Sequence, residues 1–298
     1  GGSGRSGSTL LDQMLNRHPL IQSVGEVHRL NLYARTNKET CTCGRTVMEC
    51  PFWLKVQGEL QRGTDTQEGP ALKTREVMLQ CKDLGRVANL VHRASLVLGN
   101  RWLHHGLSTA FFRRSHQAMR ESQLVYDAIR RASGCPVVVD STKDARRLKE
   151  LYLTQPWPFR LIYLVRDGRA VAASAMRRLG VDMRTAARDW LDDNRRSLWV
   201  QWSIPAERKM RVRYEDLCHF TEPTLRSICR FLDVPYDESM LQLCKGESHS
   251  IGGNPMRFRR DEATVQLDER WRDELSERDL EVFNSVAGRL NRRFGNSS

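Results

Sequence analysis

Apolar residues gather into short uninterrupted runs in the second half of the chain. Residues 136–140 (PVVVD) and 160–165 (RLIYLV) have apolar centres without the alternation of a half-exposed strand. Such runs are typical of strands buried on both faces of a parallel sheet. A helical pattern follows each run, at 145–152 and 169–178, and residues 211–214 add a third strand pattern. Strand alternating with helix predicts an α/β fold of three layers around a central parallel sheet.

Helical spacing dominates elsewhere. Residues 8–17 predict a helix near the start of the sequence, and residues 276–294 predict the last one. Between them, residues 54–133 show few strand signals and a mainly helical spacing of apolar positions. We therefore predict a single domain over residues 1–298 that carries a helical insertion at 54–133.

The charge balance narrows the class of ligand. Among 298 residues, 48 Lys and Arg outnumber 36 Asp and Glu, which gives a formal net charge of +12. Such an excess predicts an acidic partner. The basic residues are spread along the chain, and no helix-turn-helix, zinc-finger or RNA-binding signature is present. These features favour a small anionic ligand and exclude nucleic acid from the expected partners.

Membrane and secretion signals are also missing from the sequence. No stretch approaches the roughly 18 to 20 apolar residues of a membrane-spanning helix. The first residues are Gly and Ser, unlike a signal peptide. We expect a cytoplasmic protein without a membrane span.

A glycine-rich pattern opens the chain. Residues 2–9 (GSGRSGST) match the phosphate-binding pattern G-x-x-x-x-G-K-[ST] at every fixed position but one, where Ser8 replaces Lys. Glycines let main-chain N–H groups approach an anion, and the helix that follows presents its positive end. A flexible Gly/Ser linker is the alternative, but it needs neither a central Arg nor a helix directly after it. The candidate anion-binding residues are Gly4, Arg5, Ser6, Gly7, Ser8 and Thr9.

The missing lysine bears on the chemistry. In enzymes that use nucleoside triphosphates, this lysine contacts the β- and γ-phosphates, while Ser or Thr holds Mg²⁺. Here the loop's own cation is Arg5. The departure argues against a kinase and for a related anion chemistry, in which a transferred group with less charge than a γ-phosphate needs no metal. A P-loop small-molecule kinase, with Asp140 as its metal-holding acid, stays open as an alternative.

A second candidate anion site follows a predicted strand. Arg166 comes directly after the apolar run 160–165, and Ser174 falls on the next helical pattern. Ligands of α/β sheets bind at the carboxyl ends of strands. Alone, these residues would be read as a surface ion-pair Arg and a helical Ser. Combined with the glycine loop, they favour a second phosphate site.

These paired motifs resemble the sulfotransferase superfamily. In that family the first loop cradles the 5′-phosphosulfate of 3′-phosphoadenosine 5′-phosphosulfate (PAPS), while a strand-end Arg and a Ser eight residues later hold its 3′-phosphate. Arg166 and Ser174 fit that spacing. Residues 1–9, 16–19 (NRHP) and 25–26 (GE) look most similar to the tyrosylprotein and bacterial branches.

The resemblance covers residues 1–35 and 136–235 well, the tail more loosely and residues 54–133 weakly. It implies a P-loop-like fold, with residues 54–133 on the substrate side. It also implies PAPS as co-substrate, adenosine 3′,5′-bisphosphate (PAP) as product, and no metal. The expected acceptor is a carbohydrate, lipid or small natural-product hydroxyl. A non-catalytic polyanion-binding protein is the second alternative to this enzyme, after the kinase.

The resemblance also points to catalytic groups. A general base must accept the proton of the acceptor hydroxyl, and matching branches of the family place a Glu where this chain has Glu26. His28 is the next choice. Fixed cations stabilise the charge that develops on the leaving 5′-phosphate, for which Arg5 and then Lys143 are the candidates. Without the family resemblance, Glu26 would be interpreted as a solvated loop carboxylate, and Lys143 as a surface lysine at the start of a helix.

A segment near the end of the chain contains two further candidate nucleotide ligands. Residues 249–257 (HSIGGNPMR) fall where the family closes a loop over the nucleotide, so Gly253 and Arg257 are candidate nucleotide ligands. A turn with an exposed Arg is the alternative.

Cys41, Cys43 and Cys50 lie close together in the sequence. Zinc with a fourth ligand such as His28 is one interpretation. Zinc sites usually combine C-x₂₋₄-C with a second pair of ligands, so the spacing favours a disulfide or plain packing.

Overall fold

The computed structural model describes residues 2–62, 72, 86–98, 106, 113–154, 158–243, 247–258 and 265–296. The chain divides into two compact units. The first unit comprises Thr9–Phe159 and Asp237–Glu262. The second unit comprises Gly1–Ser8, Arg160–Tyr236 and Ala263–Ser298. The predicted single domain over residues 1–298 stays a prediction.

The first unit is mainly helical, with one parallel strand pair. The described residues of the predicted insertion at 54–133 are helical and belong to this unit. Its named elements are α1 (Ser8–Leu15, whose first residue belongs to the second unit), β1 (Ile21–Ser23), α2 (Leu30–Thr36), α3 (Pro51–Arg62), α4 (Arg86–Leu98), α5 (Arg113–Ser133), β2 (Val137–Val139) and α6 (Ala145–Thr154).

The strand pair of the first unit is short. β1 runs parallel to β2, with Ile21 opposite Val137 and Ser23 opposite Val139. The strand predicted within 136–140 is therefore confirmed. β1 has the sequence Ile-Gln-Ser, which carries no apolar run, so the pattern did not predict it. Buried side chains of α2, α3 and α5 form the adjoining core, including Leu30, Trp53, Val56, Val125 and Ile129.

The second unit places helices around another parallel pair. β3 pairs with β4 from Leu161 opposite Lys209 to Val165 opposite Arg213, which confirms the strands predicted at 160–165 and 211–214. Its elements are β3 (Leu161–Val165), α7 (Gly168–Leu179), α8 (Met183–Trp202), β4 (Lys209–Arg213), α9 (Tyr214–His219), α10 (Thr221–Leu232), α11 (Trp271–Glu274) and α12 (Glu277–Arg293).

Close helix packing fixes the start of α7. A Cβ at Gly168 would lie 2.5 Å from Phe283 and 2.8 Å from Trp190, so only glycine lets the helix approach these rings. The side chain of Asp167 caps the helix by accepting the N–H of Arg169. Across the described residues, no helix has both the length and the apolar character needed to cross a membrane.

Candidate active site

Two glycines shape the loop of the second unit. Gly2 (φ +135°) and Gly7 (φ +92°) adopt conformations that favour glycine. A Cβ at Gly2 would lie 2.4 Å from the main-chain oxygen of Leu164, and one at Gly7 would lie 2.2 Å from the ring of Tyr214. The loop thus packs against β3 and the start of α9. Steric clashes therefore explain why both fixed positions of the sequence pattern, Gly2 and Gly7, are glycine.

Arg5 is the loop's cation, and it has basic neighbours. Its φ of +64° lies in the left-handed region, which is uncommon for a residue with a side chain. Burial, and then the charges of Arg178 and Arg177, lower the pKa of its guanidinium. The latter two arginines come from the last turn of α7. Arg177 is itself paired with the Glu274 carboxylate, but both arginines still disfavour the charge of Arg5, and an anion bound there would offset that effect.

Ser174 shares a helix face with these arginines. It lies half-buried in α7, three and four residues before Arg177 and Arg178. Residues at this spacing are neighbours on a helix surface. The predicted phosphate ligand Ser174 therefore lies on the same face of α7 as the two arginines that lower the pKa of Arg5. Neither arginine was predicted as a site residue from the sequence, although both follow Ser174 at helical spacing.

Arg166 joins the strand end to the loop. It follows β3 directly and is only 8% exposed. Its Nη1 donates to the main-chain oxygen of Arg5 at 3.4 Å. Its Nη2 donates to the main-chain oxygen of Asp268 at 2.9 Å and lies 3.5 Å from the Asp268 carboxylate. The guanidinium also lies over the Tyr214 ring, 4.5 Å from its centroid. The two predicted anion motifs are thus in direct contact.

A buried network holds the backbone beside Arg166. The N–H of Asp167 donates to the Glu215 carboxylate at 2.8 Å. The side-chain amide of Asn291 accepts the N–H of Gly168 at 2.8 Å and donates to Asp167 at 3.2 Å. These bonds fix the turn between β3 and α7. Both Glu215 and Asn291 were missed from sequence because they come from distant elements.

Two buried polar atoms fit an anionic ligand in this site. Ser6 Oγ and Arg166 Nε are buried and have no hydrogen-bond partner among the described residues. A buried donor without a partner is costly unless a ligand satisfies it. Ser6 precedes α1, whose amino end favours negative charge. The loop, Arg5 and Arg166 therefore supply the donors and charge that a phosphate or sulfate group requires.

Glu26 and Lys143 meet in the first unit. Glu26 follows β1 and Lys143 follows β2, and the carboxyl ends of neighbouring parallel strands emerge at the same edge. Lys143 Nζ lies 2.6 Å from Glu26 Oε1. Both side chains keep part of their surface exposed, 25% for Lys143 and 20% for Glu26. Two residues predicted separately thus form one ion pair that is open to solvent.

The main chain at Glu26 is held on two sides. Its N–H donates to the oxygen of Ile251 at 2.7 Å. Gly25 has φ +74°, and a Cβ there would lie 2.2 Å from the same oxygen. The N–H of Ser141, just after β2, donates to the oxygen of Gly25 at 2.9 Å. The carboxylate therefore projects from a rigid support.

Asp140 is occupied by partners within the protein. Its carboxylate accepts the hydroxyl of Tyr126 and, at 2.8 Å, the N–H of Thr142. Arg147 donates to the Tyr126 hydroxyl at 2.9 Å and lies 3.9 Å from Asp140. Burial is the main cause that raises the pKa of Tyr126. These contacts give Asp140 a structural role in place of the metal-holding role that the kinase alternative assigns.

His28 and Asp12 adjoin this region. Nδ1 of His28 lies 3.3 Å from the hydroxyl of Thr142, and burial lowers the pKa of the imidazole. Asp12, on α1, accepts the hydroxyl of Ser23 at 2.7 Å. Burial raises the pKa of Asp12 to about 6, against the opposing effects of hydrogen bonds and of Lys143. The sequence analysis missed Asp12 because it occupies an ordinary polar position of the predicted helix.

The late candidates, Gly253 and Arg257, also belong to the first unit. Gly253 has φ +86°. Arg257 forms an ion pair with Glu39 and donates to the main-chain oxygen of Gly253 at 3.0 Å. Its side chain is 9% exposed, so it is not the exposed turn arginine of the alternative. Its nucleotide-binding role stays a prediction.

The comparisons with known proteins agree on one family. A segment of 108 residues is 33% identical to protein-tyrosine sulfotransferase 1 of Danio rerio and covers 33% of this chain. The match spans only 30% of that relative's length.

Two solved structures are similar to this chain. The sulfotransferase domain from the Synechococcus PCC 7002 olefin synthase aligns over 95% of this chain and 91% of its own, with a TM-score of 0.55 and 21% identity. The sulfotransferase domain from the curacin biosynthetic pathway aligns over 96% of this chain and 95% of its own, with a TM-score of 0.49 and 19% identity. The similarity to the olefin synthase domain confirms the predicted P-loop-like α/β fold. A family model described as the sulfotransferase family matches residues 1–238, and the chain therefore belongs to the sulfotransferase family.

Proposed function

We propose that this protein transfers the sulfuryl group of PAPS to an acceptor hydroxyl and releases PAP. The observation that carries the proposal is the contact between the two anion motifs, in which Arg166 donates to the main chain of Arg5. A nucleotide with phosphate groups at both its 3′ and 5′ positions needs two anion sites close together. Membership of the sulfotransferase family supports the same donor.

The second unit has the groups to bind the donor. In the proposed arrangement, the loop N–H groups, the Ser6 hydroxyl and Arg5 hold the 5′-phosphosulfate. Arg166 and Ser174 hold the 3′-phosphate. Arg5 offsets the negative charge that develops on the 5′-phosphate as it leaves.

The first unit has the groups for proton transfer. Glu26, held in its pair with Lys143, accepts the proton of the acceptor hydroxyl as that oxygen attacks sulfur. Lys143 orients the carboxylate and is a second cation for the leaving oxygen. His28 remains the alternative base. Its lowered pKa keeps the imidazole neutral, and only the neutral form accepts a proton.

The acceptor class, the location and a transfer step without a metal are part of the same proposal. We propose a carbohydrate, lipid or small natural-product hydroxyl as acceptor, which is the class expected from the sequence. Protein tyrosine, the acceptor that the Danio rerio relative's name states, is the other class to screen. We also propose a cytoplasmic location and no metal in the transfer step.

Calorimetric titration with PAP tests the donor site. We expect binding without Mg²⁺, and a loss of about 1.5 to 3 kcal/mol in binding free energy for Arg166→Ala, the range for a hydrogen bond to a charged group. Arg272→Ala is a matched control, because Arg272 pairs with Glu269 on the surface. An acceptor screen with labelled PAPS follows. Absent PAP binding together with Mg²⁺-dependent ATP turnover would establish the kinase alternative instead.

A further inference from the structure

Four metal-binding side chains converge in the first unit. Cys41, Cys43 and Cys50 lie between α2 and α3, and His249 lies in the segment 247–251. Their ligand atoms all lie within 4.8 Å of one another. The sequence spacing offered only three clustered ligands, because His249 lies 199 residues beyond Cys50. His28, the fourth ligand considered from sequence, contacts Thr142.

Four of the six separations between these atoms are close to the edges of a tetrahedron, and all six are within 4.8 Å. Zn–S bonds of about 2.3 Å and Zn–N bonds of about 2.1 Å put tetrahedral ligands about 3.8 Å (S to S) and about 3.6 Å (S to N) apart. Cys50 Sγ lies 3.6 Å from the Sγ atoms of Cys41 and Cys43. His249 Nδ1 lies 3.3 Å from Cys50 Sγ and 3.8 Å from Cys41 Sγ. One ion can therefore contact all four.

A disulfide or plain packing explains the cluster less well. A disulfide brings two sulfurs to about 2.05 Å, whereas Cys50 lies equally far from both other cysteines. Plain packing does not require an imidazole nitrogen pointed at two sulfurs. Main-chain N–H groups of Cys43 and Trp53 also donate to the sulfurs of Cys41 and Cys50. Hydrogen bonds of this kind hold metal ligands in a fixed orientation.

Surrounding contacts orient the fourth ligand. Nε2 of His249 lies 3.9 Å from the Glu247 carboxylate, and the ring stacks on Phe52 at a centroid distance of 5.2 Å. Histidines that bind metal commonly direct the other ring nitrogen at a carboxylate. Thr42 donates its N–H to the oxygen of Ser250 at 3.1 Å, and its hydroxyl accepts the N–H of Ser250 at 2.9 Å. These bonds tie the cysteine segment to the segment that carries His249.

We propose that Cys41, Cys43, Cys50 and His249 bind one structural Zn²⁺. Three thiolates and one imidazole are ligands that Zn²⁺ prefers. Four protein ligands leave no open position for water or substrate, which is typical of a structural site. The sulfuryl transfer proposed above still needs no metal, because this ion takes no part in it.

The ion would also support Glu26. Ile251, two residues after His249, forms a parallel bridge with Gly25 and accepts the N–H of Glu26. Zinc at His249 therefore anchors the main chain that holds Glu26 in place. This last step rests on the proposed role of Glu26, while the zinc site itself does not.

Elemental analysis of the full chain, purified under reducing conditions, tests the site. We expect one zinc ion per chain, and loss of most of that zinc in Cys50→Ala and His249→Asn. Matched controls are Cys135→Ser and His219→Asn, which change residues outside the cluster and should keep the zinc. Replacement of zinc by Co²⁺ should give the intense visible bands of a tetrahedral thiolate site.

A second measurement keeps the test decisive where a variant fails to fold. Treating the unmodified protein with a chelator should lower its melting temperature, and adding Zn²⁺ back should restore it. Substoichiometric zinc in the unmodified protein, iron in its place, or equal zinc in cluster and control variants would each overturn the proposal. A chain that holds zinc but fails to bind PAP would refute the proposed donor and leave the zinc site intact.

Discussion

The glycine loop of the second unit and the Glu26–Lys143 pair of the first unit are built in opposite ways. The loop uses consecutive residues, and its shape depends on main-chain φ angles that only glycine adopts easily. The pair joins side chains 117 residues apart, and it exists only because β1 and β2 lie side by side. Substitutions in the loop should therefore act through the backbone, and substitutions in the pair through side-chain chemistry.

The largest expected effect is on turnover. Glu26→Gln removes the proposed base but keeps the size of the side chain, so turnover should fall by about 10²- to 10⁴-fold. The affinity for PAP should stay unchanged, because the donor-binding residues are intact. Steady-state rates and calorimetry on the same variant check both parts.

Glu59→Gln is the matched control for that variant. Glu59 lies on α3 in the first unit and pairs with Arg62 and Arg131. Its removal should leave turnover near that of the unmodified protein. Full turnover in the Glu26 variant would shift the base assignment to His28. Lost PAP affinity there would contradict the division of roles between the two regions.

A backbone substitution in the loop should have the next largest effect. Gly7→Ala puts a Cβ 2.2 Å from the Tyr214 ring at φ +92°. Strain and overpacking together should lower the free energy of unfolding by about 4 kcal/mol, and PAP affinity should fall with it. Gly58→Ala is the control: no atom lies within 4 Å of the new Cβ, and alanine should stabilise α3 by about 0.5 to 1 kcal/mol. Chemical denaturation of both variants compares them directly. Equal stability would show that the loop does not depend on this glycine.

The smallest effect concerns pH. Asp12 has a pKa raised to about 6 in the folded protein, from 3.8. Between these values the folded chain holds a proton that the unfolded chain has released, so this group's contribution to stability falls as pH rises from about 4 to about 6. The loss should reach no more than about 3 kcal/mol, and Asp12→Asn should abolish it.

Unfolding curves at pH 4.5, 5.5 and 6.5 check this prediction. The difference in unfolding free energy between the unmodified protein and the Asn variant should change across this range, because the titrations of other groups cancel in that difference. A difference that stays constant with pH would place the Asp12 pKa near its ordinary value.

Much of the fold was predictable because it is encoded locally. Apolar runs predicted β2 and β3, and a strand pattern at 211–214 predicted β4, while the strand β1 has no such signal. The family motifs identified the loop, Arg166 and Ser174. Arg177 and Arg178 were also within reach, since both follow Ser174 at helical spacing on α7.

The sequence by itself determined most of the elements, the glycine loop and the family, because each depends on residue types at short, fixed spacings. Only the tertiary structure decided that Arg166 contacts the loop, that Glu26 pairs with Lys143, and that His249 joins three cysteines. The physical reason is that strand pairing and core packing bring distant segments within a few ångströms of each other. No local spacing records which distant residues will meet.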